Sequence, residues 1–339
     1  MQASPRLQID PYFSEYHYHR MTRPLASVKM MTYNHAAHIG KAIEGVLAQE
    51  TDFEYELVIG EDCSTDGTRE IVFQYAAENP HIIRVVTSSH RVGMHSNSSR
   101  TMEACCGSYI AWCEGDDYWH RRDKLQRQVA YLEAHKDCGL VFSDYDYHDL
   151  VAGRVIRSYV KSRNMEPPDT IALSDILFGR VDIRTCTACA PISMVRDAYA
   201  SDPVLYSEQF RMRDLQLWAD LLMQSRGCYM PDSMATHNIL KESISHSLSF
   251  AERHRFGVSA REVKVYLAKK YHATDSELAI LKASLSDGQL FLAFLERDHS
   301  AARDAVLELE RLTVRQRLLY YGTRNTLLNK LLKLGLRRK

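Results

Sequence analysis

Between residues 26 and 142, short β-branched and aromatic runs alternate with amphipathic helical segments, and this narrows the available folds more than any other feature of the chain. Residues 28–32 read as a strand. Ile39, Ala42, Ile43, Val46 and Leu47 then recur at helical spacing. Residues 55–59 form a second strand, closing on Gly60-Glu61-Asp62-Cys63-Ser64. Ser64 or Asp66 can cap the next helix, which runs toward Glu78 and stops before Pro80. Residues 82–87, 109–112 and 139–142 read as further strands, with helices over 97–105, 124–135 and 215–223. Such alternation builds right-handed βαβ units on a mostly parallel sheet. Ligands sit beyond the carboxyl ends of strands in such sheets. Residues 32–34, 61–64 and 114–117 all fall at such ends, so three polar clusters should converge on one crevice.

The 339 residues, 45% hydrophobic and 25% charged, leave room for one large domain and a smaller one. Residues 1–25 are rich in Tyr and His, carry Pro5, Pro11 and Pro24, and read as an irregular arm. The pair His17 and His19 is too small a set for a metal site. Residues 26–249 make the α/β unit. From 250 to 339 strand signals fade and helical spacing takes over. Eight irregularly spaced cysteines do not resemble a disulfide framework, and a reducing cytoplasm is expected. The first ten residues lack the apolar stretch of a secretory signal, and no apolar run approaches the ~18–20 residues of a membrane span.

Basic and acidic residues both number 43, so overall charge gives no pointer to nucleic acid. Their distribution says more. Residues 311–339 hold nine basic residues and no acidic one. Leu327, Leu328, Leu331 and Leu332 fall on one helical face, and Lys330, Lys333 and Arg337 on another. A basic amphipathic helix suits the cytoplasmic face of an anionic membrane. The same pattern also fits a helix packed on its own domain or on a second subunit of a homo-oligomer.

Glu114-Gly115-Asp116-Asp117-Tyr118-Trp119 is the strongest chemical signal. Carboxylates at a strand end beside a glycine can share Mg²⁺ or Mn²⁺, which take oxygen ligands and complete their shell with phosphates. Asp62 is the second signal: helix capping accounts for Ser64 and Asp66 but not for Asp62, which could accept a hydrogen bond from a uracil or thymine ring. Cys186-Thr187-Ala188-Cys189 has no second such pair and reads as packing. The tryptophans read as core or pocket walls, with Trp119 also able to stack on a sugar. No Gly-x-Gly-x-x-Gly or Walker A sequence is present.

In order along the chain come residues 28–34, Gln49, Glu61-Asp62-Cys63-Ser64-Thr65-Asp66-Gly67-Thr68, Gly107-Ser108-Tyr109-Ile110, Glu114-Gly115-Asp116-Asp117 and Lys124-Leu125. This ordered set resembles the signature of the family 2 glycosyltransferases over residues 26–135, and more loosely to 245. The resemblance implies a GT-A fold, that is, a Rossmann-like, mostly parallel mixed sheet flanked by helices, here with a C-terminal helical module. It also implies a nucleoside diphosphate sugar donor, a divalent metal and inversion at the anomeric carbon. Thr32, Tyr33 and Asn34 then match the loop lining the nucleotide pocket, and Asp62 the carboxylate on the base. Glu114 and Asp116 match the two acids of the Asp-x-Asp motif, with Asp116 the metal ligand and Asp117 the adjacent acid. Arg91 and Arg100 fall where basic side chains meet the diphosphate. Asp214, ahead of an apolar helix, matches the base that deprotonates the acceptor; Asp220 lies inside that helix and fits less well.

Two departures stand out. Glu114 replaces the usual Asp, and Asn238 and Leu240 stand where the family has Arg and His, leaving Lys241 or His246 as substitutes. The implied acceptor is a glycan or lipid-linked glycan in surface polysaccharide or glycoconjugate synthesis. A sugar-phosphate nucleotidyltransferase and a non-catalytic binding protein on a decayed scaffold are the alternatives.

Overall fold

The computed structural model describes residues 23–240 and 250–336; His17, His19, Lys241, His246 and Arg337 lie outside them. Four short strands open the fold: β1 (Ala26–Thr32), β2 (Tyr55–Glu61), β3 (Ile83–Val86) and β4 (Tyr109–Trp112). All pair in parallel, with Ala26 opposite both Tyr55 and Tyr109. Helices α1 (Ile39–Leu47), α2 (Thr68–Glu78) and α3 (Met94–Ala104) make the crossovers. β1 and β2 are almost wholly buried, as strands covered on both faces must be. Val28, Met30, Leu57 and Ile59 meet the predicted apolar face of α1 (Ile39, Ala42, Ile43 and Val46) in one core. Val58, Ile110 and Trp112 join a second core on the other side.

The sheet runs in the order β3-β2-β1-β4-β8-β6-β9-β5, with β7 paired to β6. β5 is Tyr118–Trp119 and helix α4 is Lys124–Ala134. The strand expected at 139–142 is a 12-residue β6 (Cys138–Asp149) that turns back into β7 (Arg154–Ile156). Short helices α5 (Tyr159–Ser162) and α6 (Leu173–Leu177) lead to β8 (Cys189–Pro191), which lies antiparallel between β4 and β6. Helices α7 (Ile192–Ser201) and α8 (Asp214–Gln224) follow, then β9 (Arg226–Ile239), parallel to β6. β9 was not apparent in the sequence because Pro231-Asp232-Ser233 interrupts its apolar pattern. The ladder is irregular there, where Ser143 pairs with Met230 but Asp144 with Ser233. The edge strand β5 lies antiparallel to β9, so the chain just after the acidic cluster is fastened to residues 235–236.

Helices α9 (Phe250–Lys270), α10 (Asp275–Glu296), α11 (His299–Leu307), α12 (Val314–Arg324) and α13 (Thr326–Leu336) follow. Val263, Val265, Leu267 and Ala268 of α9 share the core of Leu217, Trp218 and Leu221 of α8. Asp220, fully buried, accepts from Tyr206 Oη (2.7 Å), Lys270 Nζ (2.9 Å) and Tyr271 Oη. A buried carboxylate with three donors is satisfied where it stands, and it locks α8 to the end of α9. Leu290, Phe294, Ala302, Ala305 and Leu319 build a separate small core further along.

Two expectations are corrected here. Against the expectation that no apolar run approaches a span, α10 is by length and composition long and apolar enough to cross a membrane; in the fold it buries Leu281 in the second core and Leu290 and Phe294 in the small one. The four leucines assigned to one face of the tail are divided: Leu332 packs inward and Leu328 is half-buried, whereas Leu327 and Leu331 are 70% and 57% exposed. Lys333, expected on a basic face, donates to the Leu295 carbonyl instead.

Candidate active site

Three strand-end loops do converge, and backbone-directed hydrogen bonds hold them together. Gly115 N donates to the Met31 carbonyl and Asp62 N to the Thr32 carbonyl. Asn34 N donates to Ser64 Oγ (3.0 Å), and Asn34 Oδ1 accepts from Thr65 N (2.9 Å). His35 N donates to Thr68 Oγ1 and Ala36 N to Asp66 Oδ2. Asn34 and Cys63 both take left-handed φ of 56°, a conformation Asn tolerates better than most residues. Gly115 is required by contact: a Cβ there would lie 2.8 Å from Thr32 Oγ1 and 3.0 Å from His35 Nδ1. Of the two residues expected to cap α2, Asp66 bonds Thr68 N, and Ser64 is turned toward the first loop.

Asp62 is 3% exposed. Its oxygens accept from Val92 N (2.8 Å) and Gly93 N (3.0 Å), one bond each, so unused lone pairs remain. Arg91 stacks on the Tyr33 ring, 4.0 Å from its centroid, and approaches Asp62 at 3.7 Å. Arg100, expected at the diphosphate, gives its donors to Asn97 Oδ1, Ser88 Oγ and the Glu61 carbonyl. In this arrangement it braces the loop after β3 against the end of β2.

The acids form the floor. Glu114 and Asp116 remain partly open to solvent yet lie deep among protein atoms. Burial, only partly offset by Lys29, lifts the Glu114 carboxyl to about 8. Burial and the neighbouring Asp117 lift Asp116 to about 7. Two acids held this way are short of positive charge. Their oxygens suit a hard divalent cation such as Mn²⁺ or Mg²⁺, and Asn238 Oδ1, buried beside them, takes no hydrogen bond among the described residues. The residues therefore fit a metal.

Asp117 points the other way. It accepts from Asn238 N (2.8 Å) and meets His237 Nδ1 at 3.2 Å, while the Asn238 amide donates to the Asp116 carbonyl at 2.5 Å. Burial alone would depress His237, but Asp117 outweighs it and holds the imidazole above its usual value. Asp117, His237 and Cys186 bring ligand-type atoms within 4.8 Å of one another. Burial pushes the Cys186 thiol far up, so it serves Asp117 as a neutral hydrogen-bond donor. Leu240, the other departure, is buried. Trp119 is 3% exposed, donates to the Cys186 carbonyl and carries Lys124 over its ring at 4.0 Å; it is a core residue and no sugar platform. Cys189 is likewise fully buried, in agreement with packing.

Asp214 is the first residue of α8. Trp218, one turn on, packs edge-to-face against Trp112 at the end of β4 (centroids 5.2 Å apart), which fixes that helix end beside the acid loop. The buried Tyr199 hydroxyl feels both Glu114 and Asp214. Burial raises the Asp214 carboxyl, and its one described bond is from Leu215 N. Nearby stand Arg184, Asp182 and Tyr145, the tyrosine donating to Asp182 at 2.8 Å. Tyr145, Tyr147 and Tyr159 stack into an aromatic wall that meets the edge of His237. Arg184 and this wall were missed because nothing local marks them. Lys29 was also missed, although its signal was visible: a lone cation in an apolar strand, buried and donating to Ser98 Oγ at 2.7 Å.

The chain is 28% identical over 227 residues to the putative teichuronic acid biosynthesis glycosyltransferase TuaG of Bacillus subtilis, 66% of this chain and 82% of that one. It is 39% identical over 116 residues to uncharacterised proteins of Mycobacterium tuberculosis and Mycobacterium bovis, spanning about a third (34%) of their length. Among solved structures, S. aureus TarS residues 1–349 with UDP-GlcNAc superposes with a TM-score of 0.54 at 18% identity, covering 88% of this chain and 79% of that one. The mannosyltransferase PcManGT of Pyrobaculum calidifontis with GDP-Man and Mn²⁺ gives 0.53 at 17% identity, covering 93% and 88%. These neighbours establish the GT-A fold with its C-terminal helices. Residues 27–190 match the model of Glycosyl transferase family 2, so the chain carries a domain of that family.

Proposed function

We propose that the protein is an inverting glycosyltransferase that moves a sugar from a nucleoside diphosphate sugar, a UDP-sugar being favoured, to a hydroxyl of a glycan or lipid-linked glycan. What supports this is that the loops carrying Asp62 and the acids of residues 114–117 are joined through the end of β1, while Asp214 opens the helix whose Trp218 packs on Trp112 at the end of β4. The base lies near Asp62 and the Tyr33–Arg91 stack, and the ribose and diphosphate run past Thr32 and Asn34 toward the acid loop. Asp116, with Glu114, would hold Mn²⁺ or Mg²⁺, and such a cation would supply positive charge to the diphosphate leaving group. Asp214 takes the proton of the acceptor hydroxyl while that oxygen bonds to the anomeric carbon. The bond from that carbon to the diphosphate oxygen breaks, and its electron pair leaves with the diphosphate. The raised Asp214 carboxyl favours this role, because a base works best when its proton affinity approaches the working pH. The relationship to TuaG supports a place in surface polysaccharide synthesis.

Calorimetric titration of UDP, dTDP and GDP, each with and without Mn²⁺, into wild type and Asp116→Ala tests the donor site. Metal-dependent binding of one nucleotide, lost in the variant, is expected. If no nucleotide binds under either condition, the donor site is wrong and the non-catalytic reading takes its place.

A further inference from the structure

The last two helices present apolar side chains that the fold does not use. On α12, Val314, Leu318 and Tyr321 stand at i, i+4 and i+7 and are 75%, 40% and 62% exposed. On α13, Leu327, Leu331 and Leu334 repeat that spacing at 70%, 57% and 59%. Each spacing places its three side chains along one helical face. The opposite faces are already satisfied. Leu319 is buried in the small core. Asn329, 3% exposed, donates to the Phe294 and Gly322 carbonyls, and Lys333 caps the Leu295 carbonyl. Packing of the helices therefore accounts for the inner faces and leaves the outer leucines without a structural purpose.

Charge identifies what covers them. Arg317 and Arg324 flank Tyr321 at i−4 and i+3, and Lys330 sits between Leu327 and Leu334. All three cations are exposed. Residues 311–339 contain no acidic side chain to balance them. A second copy of the chain is a poor partner, since a two-fold contact sets the same patch against itself and would oppose cation to cation. An anionic bilayer satisfies both parts of the surface: the leucines enter the boundary between headgroups and acyl chains, while Arg and Lys reach the phosphates.

We propose that α12 and α13 together form a membrane-surface docking face selective for anionic lipid, which would hold the enzyme on the leaflet that carries its acceptor. The face is broader than the basic tail visible in the sequence, because α12 supplies half of it.

Co-sedimentation of the full chain with vesicles of phosphatidylcholine alone, or with about a third phosphatidylglycerol, tests this. Binding to the anionic vesicles is expected, weakening steeply as salt is raised. Arg317→Gln/Arg324→Gln/Lys330→Gln should weaken it by roughly tenfold or more, as each cation near an anionic surface adds to affinity. Leu327→Ser/Leu331→Ser/Leu334→Ser should abolish it. Nucleotide binding, measured on every variant, reports whether the fold and the donor site survive. The proposal is overturned if the wild type ignores anionic vesicles, if it binds neutral ones equally well, or if the leucine variants instead dissolve a dimer seen by sedimentation velocity. None of these results bears on the donor-site assignment.

Discussion

The two halves of the catalytic unit are built by different rules. From β1 to the acid loop, neighbouring strands are parallel, and the site residues lie at strand ends linked by hydrogen bonds between consecutive turns. From β6 to β9, the sheet is mixed, its longest strands pair across roughly ninety residues, and the side chains facing the site are aromatic or come from turns. In the proposed function the first half would supply acidic groups to a nucleotide and a cation. The second half supplies Arg184 and Asp182 near Asp214, the proposed acceptor side. Variants should therefore sort by side: donor-side changes impair nucleotide binding and turnover together, and acceptor-side changes impair turnover while nucleotide binding stays intact.

The largest effect is expected at Asp116. Asp116→Ala should lower sugar transfer by about 10⁴-fold, since metal stabilisation of the leaving group is worth several kcal/mol and each ~1.4 kcal/mol is a factor of ten. It should also remove the metal-dependent part of nucleotide affinity. Turnover within tenfold of wild type would mean that the acid loop is not the charge-bearing centre of the donor side.

Asp214→Asn comes next, at about 10³-fold in kcat, within the usual range for loss of a general base. Nucleotide affinity should not change. Because burial raises the Asp214 carboxyl above the usual carboxylate range, wild-type transfer should climb with pH as that group ionises, then level off. The Asn variant should lack this limb. An Asp214→Asn enzyme with normal kcat and a weakened nucleotide complex would place Asp214 on the donor side and erase the division between the halves.

How much of this could be read from the sequence follows the same division. α1 and β4 fall at the predicted residues, and Asp62, Glu114 and Asp116 stand at strand ends as expected, because a βαβ unit writes its signals within some thirty residues. β9 could not be read: its partner β6 is distant, and Pro231 and Asp232 suit an irregular ladder but not an isolated strand. The tail helix shows another limit. Helical spacing was expected through to the end of the chain and α13 lies there, yet which leucines faced inward depended on where Asn329 and Lys333 found carbonyl partners. The bond from Arg100 to the Glu61 carbonyl is equally silent in sequence, since a basic residue near a motif looks alike whether it meets a ligand or the backbone.

Stability offers a test that needs no substrate. Without metal, Glu114 and Asp116 titrate near 8 and 7, against ordinary values of 4.5 and 3.8. A carboxyl that holds its proton more tightly when folded stabilises the fold below its unfolded pKa, and that advantage is lost as pH rises through the folded value. The metal-free protein should therefore lose stability between about pH 4 and pH 8. Mn²⁺, competing with those protons, should raise Tm little at pH 5 and by several degrees at pH 8, with proton release on binding. A Mn²⁺ effect independent of pH would place the cation away from these acids.

The smallest expected effect probes the seam between the halves. Asn238 joins β9 to the acid loop twice, through its backbone to Asp117 and through its side chain to the Asp116 carbonyl. Asn238→Ala removes only the second bond. A neutral hydrogen bond is worth about 1 kcal/mol, which corresponds to roughly fivefold. If the seam transmits position from one half to the other, that factor should appear in both nucleotide affinity and kcat, because Asp116 loses its tether to the strand that faces the acceptor. A loss confined to Tm, with both kinetic quantities unchanged, would show that the acid loop is held by its own half alone, through the Gly115 bond to Met31 and the tight contact with Thr32. The departure of Asn238 from the family's usual cation would then be a change in packing with no bearing on catalysis.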